Sequence, residues 1–179
     1  MSPLPVLAAL SLLAAADPPK PKPIQVPVVP PRPADVGSLD GMIEAWYEIV
    51  SGPAGQPRDW GRDRSLYIPG VRFVSAVVKD GKPAVSVRDH QAFVEYSEPF
   101  LQQGFFEKEI HRVTTRYGTI AHVWSTYESR TKEDGPVIER GINSIELHWD
   151  GARWWIAGAQ WFTESKEHPI PPEFLPGGK

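Results

Sequence analysis

Apolar residues recur at helical spacing in the first part of the chain beyond residue 37. Ser38 is a suitable N-cap, and it precedes the segment LDGMIEAWYEIV. One face of that segment collects its apolar residues, which are Leu39, Met42, Ile43, Trp46, Tyr47 and Val50. The spacing therefore predicts an amphipathic helix that packs against a core.

A second group of short elements follows this helix. The segment GPAGQP breaks the helical pattern, and DWGRDRSLY suggests a short second helix that ends at Pro69-Gly70. The run VRFVSAVV is rich in β-branched residues and predicts a strand, which KDGKP then turns. Asp89 is placed to cap a third helix through HQAFVEYSEPFLQQ, with Gly104 as its stop.

The pattern changes to long strands in the second half of the chain. Turn signals at Gly118, Glu133 to Pro136 and Asp150-Gly151 separate four such segments, FFEKEIHRVTTRY, TIAHVWSTYESRT, IERGINSIELHW and RWWIAGAQWFTES. Helices first and antiparallel strands afterwards predict an α+β protein with a curved antiparallel sheet, and argue against a parallel βαβ fold.

The two ends of the chain differ from the body in composition. Residues 1–16 contain a short apolar run that ends in Ala14-Ala15-Ala16, which is typical of a signal peptide and is too short to span a bilayer. Residues 17–37 are proline-rich and predict an extended linker. We expect one folded domain over residues 38–166. The proline-rich tail, residues 167–179, is expected to add no further element.

Composition narrows the classes of function. Hydrophobic residues make up 41% of the 179 residues, with seven Trp, seven Phe and five Tyr, so the body can bury a core. The formal net charge of −3 and the interspersed charges offer no basic surface for nucleic acid or an anionic membrane. The chain has no Cys, which excludes disulfides, thiolate nucleophiles and Cys-bound metals. We expect a periplasmic or secreted protein with no membrane-spanning segment in the mature chain.

The order of elements and several segments resemble a known superfamily. The segments are EAWYEIV, FFEKEI, IAHVWSTYES, RGINSIEL and above all the closing hairpin DGARWWIAGAQW. Over residues 38 to 164 the chain resembles the nuclear transport factor 2-like (NTF2-like) superfamily, and specifically its SnoaL-like branch. The resemblance implies a cone-shaped fold with a pocket inside and, commonly, a dimer formed through the outer sheet face. Members include isomerases, dehydratases, hydrolases, cyclases and non-catalytic domains, so the resemblance is weak for function.

Strand alternation divides the side chains of the implied cone between two faces. In the last strand Trp155, Ala157, Ala159 and Trp161 are expected to face the pocket, and Trp154 to face outward. The preceding strands then offer Asn143, Ile145 and Leu147, and Ala121, Val123, Ser125 and Tyr127, to the inside. The predicted ligand-binding residues are Tyr47, Tyr67, Ser75, Ser125, Tyr127, Asn143, Trp155 and Trp161. The predicted dimer interface contains His122, Trp124 and Trp154.

Catalytic chemistry has little support in the sequence. Tyr47 aligns with the tyrosine of steroid-isomerase-like members, but Ser75 and Ile145 stand where their two carboxyl groups would be. Asp59 and Asp63 could belong to an epoxide-hydrolase-like group, although local salt bridges with the neighbouring arginines are the favoured interpretation.

Histidine offers one weak catalytic candidate. His111 could act as a base if its strand turns it inward. The five histidines show no metal-ligand spacing, so we predict no metal and no cofactor.

Three hypotheses remain open at this point. The first is an exported domain, as a homodimer, that binds an apolar or aromatic small molecule in the cone. The second is a cofactor-free dehydratase, isomerase or hydrolase. The third is a non-catalytic interaction or dimerisation domain.

Overall fold

The computed structural model describes residues 23–79 and 81–178. The predicted signal peptide, residues 1–16, and the first residues of the predicted linker lie outside these ranges. The helices are α1 (Pro33–Val36), α2 (Leu39–Val50), α3 (Trp60–Arg64), α4 (His90–Leu101) and a 3-10 helix at Pro172–Phe174. The strands are β1 (Tyr67–Lys79), β2 (Lys82–Arg88), β3 (Phe106–Tyr117), β4 (Ile120–Arg130), β5 (Glu139–Trp149) and β6 (Trp154–Thr163).

The predicted helix caps are confirmed. The Ser38 hydroxyl accepts a hydrogen bond from the Gly41 amide at 3.0 Å, at the start of α2. The Asp89 carboxylate accepts from the Ala92 amide at 2.9 Å, at the start of α4. Each side chain replaces a partner that the first turn of a helix lacks, which fixes where the helix begins.

The sheet is curled and unclosed, in the order β2-β1-β6-β5-β4-β3. Its neighbouring strands are antiparallel except for β1 and β6, which pair in parallel. The predicted α+β class is therefore confirmed, with one parallel pair inside the sheet. Strand β2 was not predicted, because its residues were assigned only to a turn and the approach to α4.

Helix α2 packs against one face of the sheet, which we call the inner face. The main core lies between them and includes Met42, Ile43, Phe73, Val123, Ile145 and Ile156, all completely buried. Alternation placed β4 and β5 correctly: Ala121, Val123, Ser125 and Tyr127, and Asn143, Ile145 and Leu147, are buried on the inner side.

A β-bulge in β6 overturns part of the predicted alternation. Leu147 pairs with Ile156 and Glu146 with Gly158, so Ala157 is an extra residue in the ladder. The face of the strand changes at that point. Trp154 is therefore 4% exposed and lies in the core under the Arg116 guanidinium, which makes the prediction that it faces outward wrong. Trp155 faces away from the core instead of into the cone.

The segment before α2 packs onto the body and is not a separate spacer. Ile24 and Val26 pack against a second apolar cluster that contains Trp60 and Val94. The Arg62 guanidinium donates to both carboxylate oxygens of Asp35 in α1, at 2.8 and 2.9 Å, and both side chains are buried. The folded body thus begins before Ser38. The prediction of an extended linker missed this packing because it considered proline content alone.

The C-terminal tail also packs on the body. Its 3-10 helix, which the proline content had argued against, places the Phe174 ring 5.5 Å from the Trp124 ring on the outer face. The Thr126 hydroxyl donates to the Phe174 carbonyl at 2.5 Å. None of the helices in the described ranges is long and apolar enough to cross a membrane.

Candidate functional site

A closed hydrogen-bond network fills the centre of the inner face. The Asn143 amide donates to the Tyr47 oxygen at 3.0 Å, and the Tyr47 and Ser125 hydroxyls lie 2.7 Å apart. The Ser125 hydroxyl donates to the Glu109 carboxylate, so the Tyr47 hydroxyl must donate to Ser125. The Arg112 guanidinium holds Glu109 at 2.8 and 3.0 Å. We call these five residues the central network.

The central network leaves Tyr47 no role as an acid. Burial raises the pKa of Tyr47 well above its ordinary value, and the charge of Glu107 raises it further. Tyr47, Ser125 and Asn143 are all buried, and each bonds to another member of the network. Three predicted ligand-binding residues are thus together inside the cone, where both hydroxyls are bonded within the central network and Asn143 Oδ1 accepts no hydrogen bond from the described residues.

A cavity of about 390 Å³ opens instead at the edge of the fold, between the start of β1, the start of α4 and the start of β6. Its walls include Tyr67, Ile68, Val71, Arg72, His90 and Trp155. We call it the edge cleft. Tyr67 and Trp155, two of the predicted ligand-binding residues, both line it, although Trp155 does so from outside the cone.

A buried carboxylate organises the wall of the edge cleft. Asp63, completely buried, accepts a hydrogen bond from the Tyr67 hydroxyl at 2.9 Å and contacts His90 Nε2 at 2.8 Å. Because a carboxylate only accepts, Nε2 carries the hydrogen, and in a neutral imidazole Nδ1 is then an acceptor. No hydrogen bond from the described residues reaches His90 Nδ1. Burial, followed by the charge of Asp63, raises the pKa of Tyr67 well above its ordinary value.

The sequence did not predict this group. Asp63 was assigned to local salt bridges, which is wrong: Asp63 contacts His90 and Tyr67, whereas Arg62 bonds to Asp35 and Glu48. The Arg58 side chain donates only to backbone carbonyls, including those of Val50 and Leu101. Asp63 and His90 are 27 residues apart, and no local pattern connects two residues at such a distance.

The other predicted site residues lie elsewhere. His111 pairs with Thr126 in the β3–β4 ladder, which puts it on the outer face, so the proposal that it acts as a base inside the cone fails. A bulge between Glu109 and His111 shifts the alternation of β3. Ser75 and Trp161 are half-buried partners in the β1–β6 register, and the Trp161 ring lies 6.2 Å from Phe93.

The outer face carries the remaining predicted residues. His122 Nε2 lies 2.9 Å from the Ser144 hydroxyl, and its ring packs edge-on to Trp124 at 4.8 Å. Both face outward as predicted, with Trp124 37% exposed. A groove of about 530 Å³ separates this face from the tail, and its apolar walls include Val78, Trp124, Ile142, Phe162 and Ile170.

Tyr127 lies on the inner face near the start of β5 and the end of β6. The Tyr127 hydroxyl donates to the Glu139 carboxylate at 3.0 Å and lies 3.5 Å from the Thr163 hydroxyl. Glycine at position 141 leaves room for the Tyr127 hydroxyl, because a Cβ at that position would lie 2.5 Å from the Tyr127 oxygen. Burial raises the pKa of Tyr127 well above its ordinary value, and so does the charge of Glu139. Within residues 23–79 and 81–178, no three His, Asp or Glu side chains are grouped to hold a metal ion.

Comparison with known proteins identifies the fold. No known family model matches the chain, and no curated protein does. One similar solved structure is assigned as the beta subunit of an aromatic-ring-hydroxylating dioxygenase from Novosphingobium aromaticivorans. Its sequence is 13% identical, the match covers 72% of this chain and 88% of that chain, and the TM-score is 0.50. A protein of unknown function from Mycobacterium tuberculosis is 13% identical over 74% of each chain, with a TM-score of 0.52.

A third solved structure is also similar to this chain. It is an NTF-2 like protein of unknown function from Silicibacter pomeroyi, 13% identical, with 72% of this chain and 94% of that chain covered and a TM-score of 0.45. The chain has the NTF2-like fold, as the resemblance predicted. Identities this low define the fold alone, so the SnoaL-like branch stays a prediction.

Proposed function

We propose that this protein binds a small molecule with an apolar or aromatic body in the edge cleft. The observation that carries the proposal is the Asp63–His90 pair in the cleft wall. Asp63 fixes the orientation of His90 and leaves Nδ1 without a partner among the described residues. A pocket with apolar walls and a few oriented polar groups is the common form of a small-molecule site.

The walls of the edge cleft suit such a ligand. Ile68, Pro69 and Val71 supply apolar surface, and the half-buried Trp155 ring stacks under the Arg153 guanidinium at 3.7 Å. The Trp155 indole also donates to Asp150 at 2.6 Å, which holds the ring in place. A fixed aromatic ring costs little entropy on binding. We therefore place the ligand in the edge cleft and not at the centre of the cone, where the central network leaves few hydrogen-bonding groups for a ligand.

The experiment is a fragment screen by ligand-observed NMR on the folded domain. Aromatic fragments should bind, and their signal changes should weaken at least tenfold with Trp155→Ala and with His90→Gln. Tyr47→Phe is the matched control, because it removes a hydroxyl from the central network and should leave binding unchanged. Fragments that bind equally well to Trp155→Ala and His90→Gln would refute the edge cleft as the site.

A second candidate function is cofactor-free acid–base catalysis in the same cleft, of the dehydratase, isomerase or hydrolase type. The geometry that favours it is a carboxylate holding an imidazole so that its other nitrogen can accept a proton from a ligand. Turnover of a bound ligand should disappear with His90→Gln and fall about a hundredfold or more with Asp63→Asn. A ligand that binds the wild type and is never converted would support a binding protein only.

The third hypothesis, an interaction or dimerisation domain, concerns the outer face. We propose a homodimer through Trp124 and His122, without Trp154, which is in the core. Truncation of a Trp at an interface centre costs about 2 kcal/mol or more of binding energy, so Trp124→Ala should give a folded monomer by light scattering. Wild-type protein that is already monomeric at micromolar concentration would exclude this interface.

We also propose export, with cleavage after Ala16, which gives a mature chain that begins Asp17-Pro18-Pro19. The support is the apolar run and the small residues before the site. Intact-mass measurement on the periplasmic or secreted fraction tests it. Full-length chain in the cytoplasm alone would contradict it.

A further inference from the structure

Three residues form a row across the inner face, at the end of the sheet where β5 begins. Glu107 of β3 pairs with Ser129 of β4, and Ser129 pairs with Glu139 of β5. Cross-strand partners in a ladder share a face, so the two carboxylates flank one hydroxyl. We call this group the carboxylate row. It lies near the end of β6, at Thr163, whereas the edge cleft lies near the start of β6, at Trp155.

Ser129 has hydrogen-bonding capacity that the protein does not use. Its side chain is 1% exposed, and its hydroxyl is the one buried side-chain nitrogen or oxygen in the described residues without a hydrogen-bond partner. Buried polar groups of this kind are rare in folded proteins, since leaving them unpaired costs stability. The Ser129 hydroxyl can therefore accept a hydrogen bond from a further group.

The two carboxylates lack a cationic partner. Glu139 accepts from the Tyr127 hydroxyl, and the Glu107 side chain has no hydrogen-bond partner in the described part of the chain. The nearby cations are engaged elsewhere, Lys108 and Arg130 with Glu128, and Arg112 with Glu109. Burial raises the pKa of Glu107 to about 8, and the charge of Glu139 adds to the effect. At pH 7 the Glu107 side chain is therefore mostly protonated in the free protein, and a positive group beside the pair would lower its pKa and favour the carboxylate.

We propose that the carboxylate row binds the primary ammonium group of a small amine. An ammonium group has three N–H donors, and the row offers three acceptors: one oxygen each from Glu107, Ser129 and Glu139. Glu139 is exposed, so the group can enter from solvent. A hard divalent cation fits less well, because it takes six or more oxygen ligands and the row supplies two carboxylates.

The test titrates n-butylamine into the folded protein near pH 7, followed by NMR shifts of the Ser129 and Tyr127 amides. Wild-type protein should show saturable binding, and n-butanol, which has the same chain without the charge, should not bind. Glu107→Gln and Ser129→Ala should each weaken amine binding at least tenfold. Glu146→Gln is the matched control, because Glu146 is an exposed glutamate of β5 outside the row, and this variant should bind like wild type.

Stability measurements separate binding from a structural role. Ser129→Ala removes a hydroxyl without a partner, so its urea midpoint should equal or exceed that of the wild type while amine binding falls. Shifts that do not saturate, equal weakening by Glu107→Gln and Glu146→Gln, or saturable binding of CaCl2 in place of the amine would each overturn the proposal. None of these outcomes depends on the edge cleft, so the two proposals fail separately.

Discussion

Tyr47 in the central network and Tyr67 beside the edge cleft are both buried tyrosines that bond to polar side chains. Tyr47 accepts from the Asn143 amide and donates to Ser125, which donates to Glu109, and Glu109 also accepts from the Arg112 guanidinium. Tyr67 donates to Asp63, and Asp63 also holds His90, whose second ring nitrogen has no partner in the described structure. The two regions use similar residues, but only the second leaves a polar atom available at the wall of a cavity.

The comparison of the two tyrosines indicates which region of this fold can bind a ligand. Both tyrosines are about equally buried, at 6% and 4% exposed, so burial does not distinguish them. The distinction lies in whether an oriented polar side chain without a partner borders a cavity. A network in which every donor and acceptor is paired stabilises the protein, whereas an oriented group without a partner can bind a ligand.

The largest expected effect is on Asp63. Asp63→Ala leaves the Tyr67 hydroxyl and His90 Nε2 without their shared acceptor in a buried position. We expect the free energy of unfolding to fall by about 3 kcal/mol, since each bond to a charged acceptor contributes roughly 1.5 to 3 kcal/mol. Urea denaturation followed by tryptophan fluorescence measures it.

Asp63→Asn is the matched variant for this prediction. The amide keeps one acceptor oxygen and the shape of the side chain, so it should lose less stability than Asp63→Ala. Equal stability of wild type and Asp63→Ala would show that the carboxylate does not organise the cleft wall.

A smaller loss is expected in the central network. Tyr47→Phe removes the acceptor of the Asn143 amide, while Ser125 keeps its bond to Glu109. The free energy of unfolding should fall by about 1.5 kcal/mol, the cost of one unpaired buried donor. The same urea experiment measures it, and fragment binding to the edge cleft should be unchanged. A loss of fragment binding in this variant would instead show that the two regions are coupled.

The last effect is a pH dependence of stability that originates at Glu107. Its pKa in the folded protein, about 8, is raised from the ordinary 4.5, so folding favours the protonated form. That contribution is fully present below about pH 4.5 and is lost as the pH rises to about 8, with no further change above.

Thermal unfolding across this pH range provides the measurement. The midpoint of Glu107→Gln should depend less on pH than that of the wild type, and Glu146→Gln is again the control. Identical pH profiles for the wild type and Glu107→Gln would mean that Glu107 titrates normally.

Local patterns predicted some of these features and missed others for identifiable reasons. Caps at Ser38 and Asp89 act over three residues, so they could be read directly. Alternation in β4 and β5 is uninterrupted and gave the correct faces, which is why Ser125 and Asn143 were placed correctly on the inner face. One extra residue at Ala157 exchanged the faces of Trp154 and Trp155, and a bulge of this kind leaves no clear signal in a sequence.

The candidate site itself was beyond the reach of local patterns. Asp63 and His90 meet only because β1 places the short helix α3 beside the start of α4. The carboxylate row likewise forms across three strands, and whether a hydroxyl such as that of Ser129 finds a partner is decided by tertiary packing.

The position of β6 determines when this chain can complete its fold. Among the strands of the described residues it is synthesised last, yet it lies between β1 and β5. Before it emerges from the ribosome, the chain can form only a hairpin of β1 and β2 and a separate meander of β3, β4 and β5, each with an unpaired edge. Contacts between such distant segments form slowly, and unpaired strand edges promote aggregation. A nascent chain that ends before Trp154 therefore has two exposed edges that β6 covers in a single step.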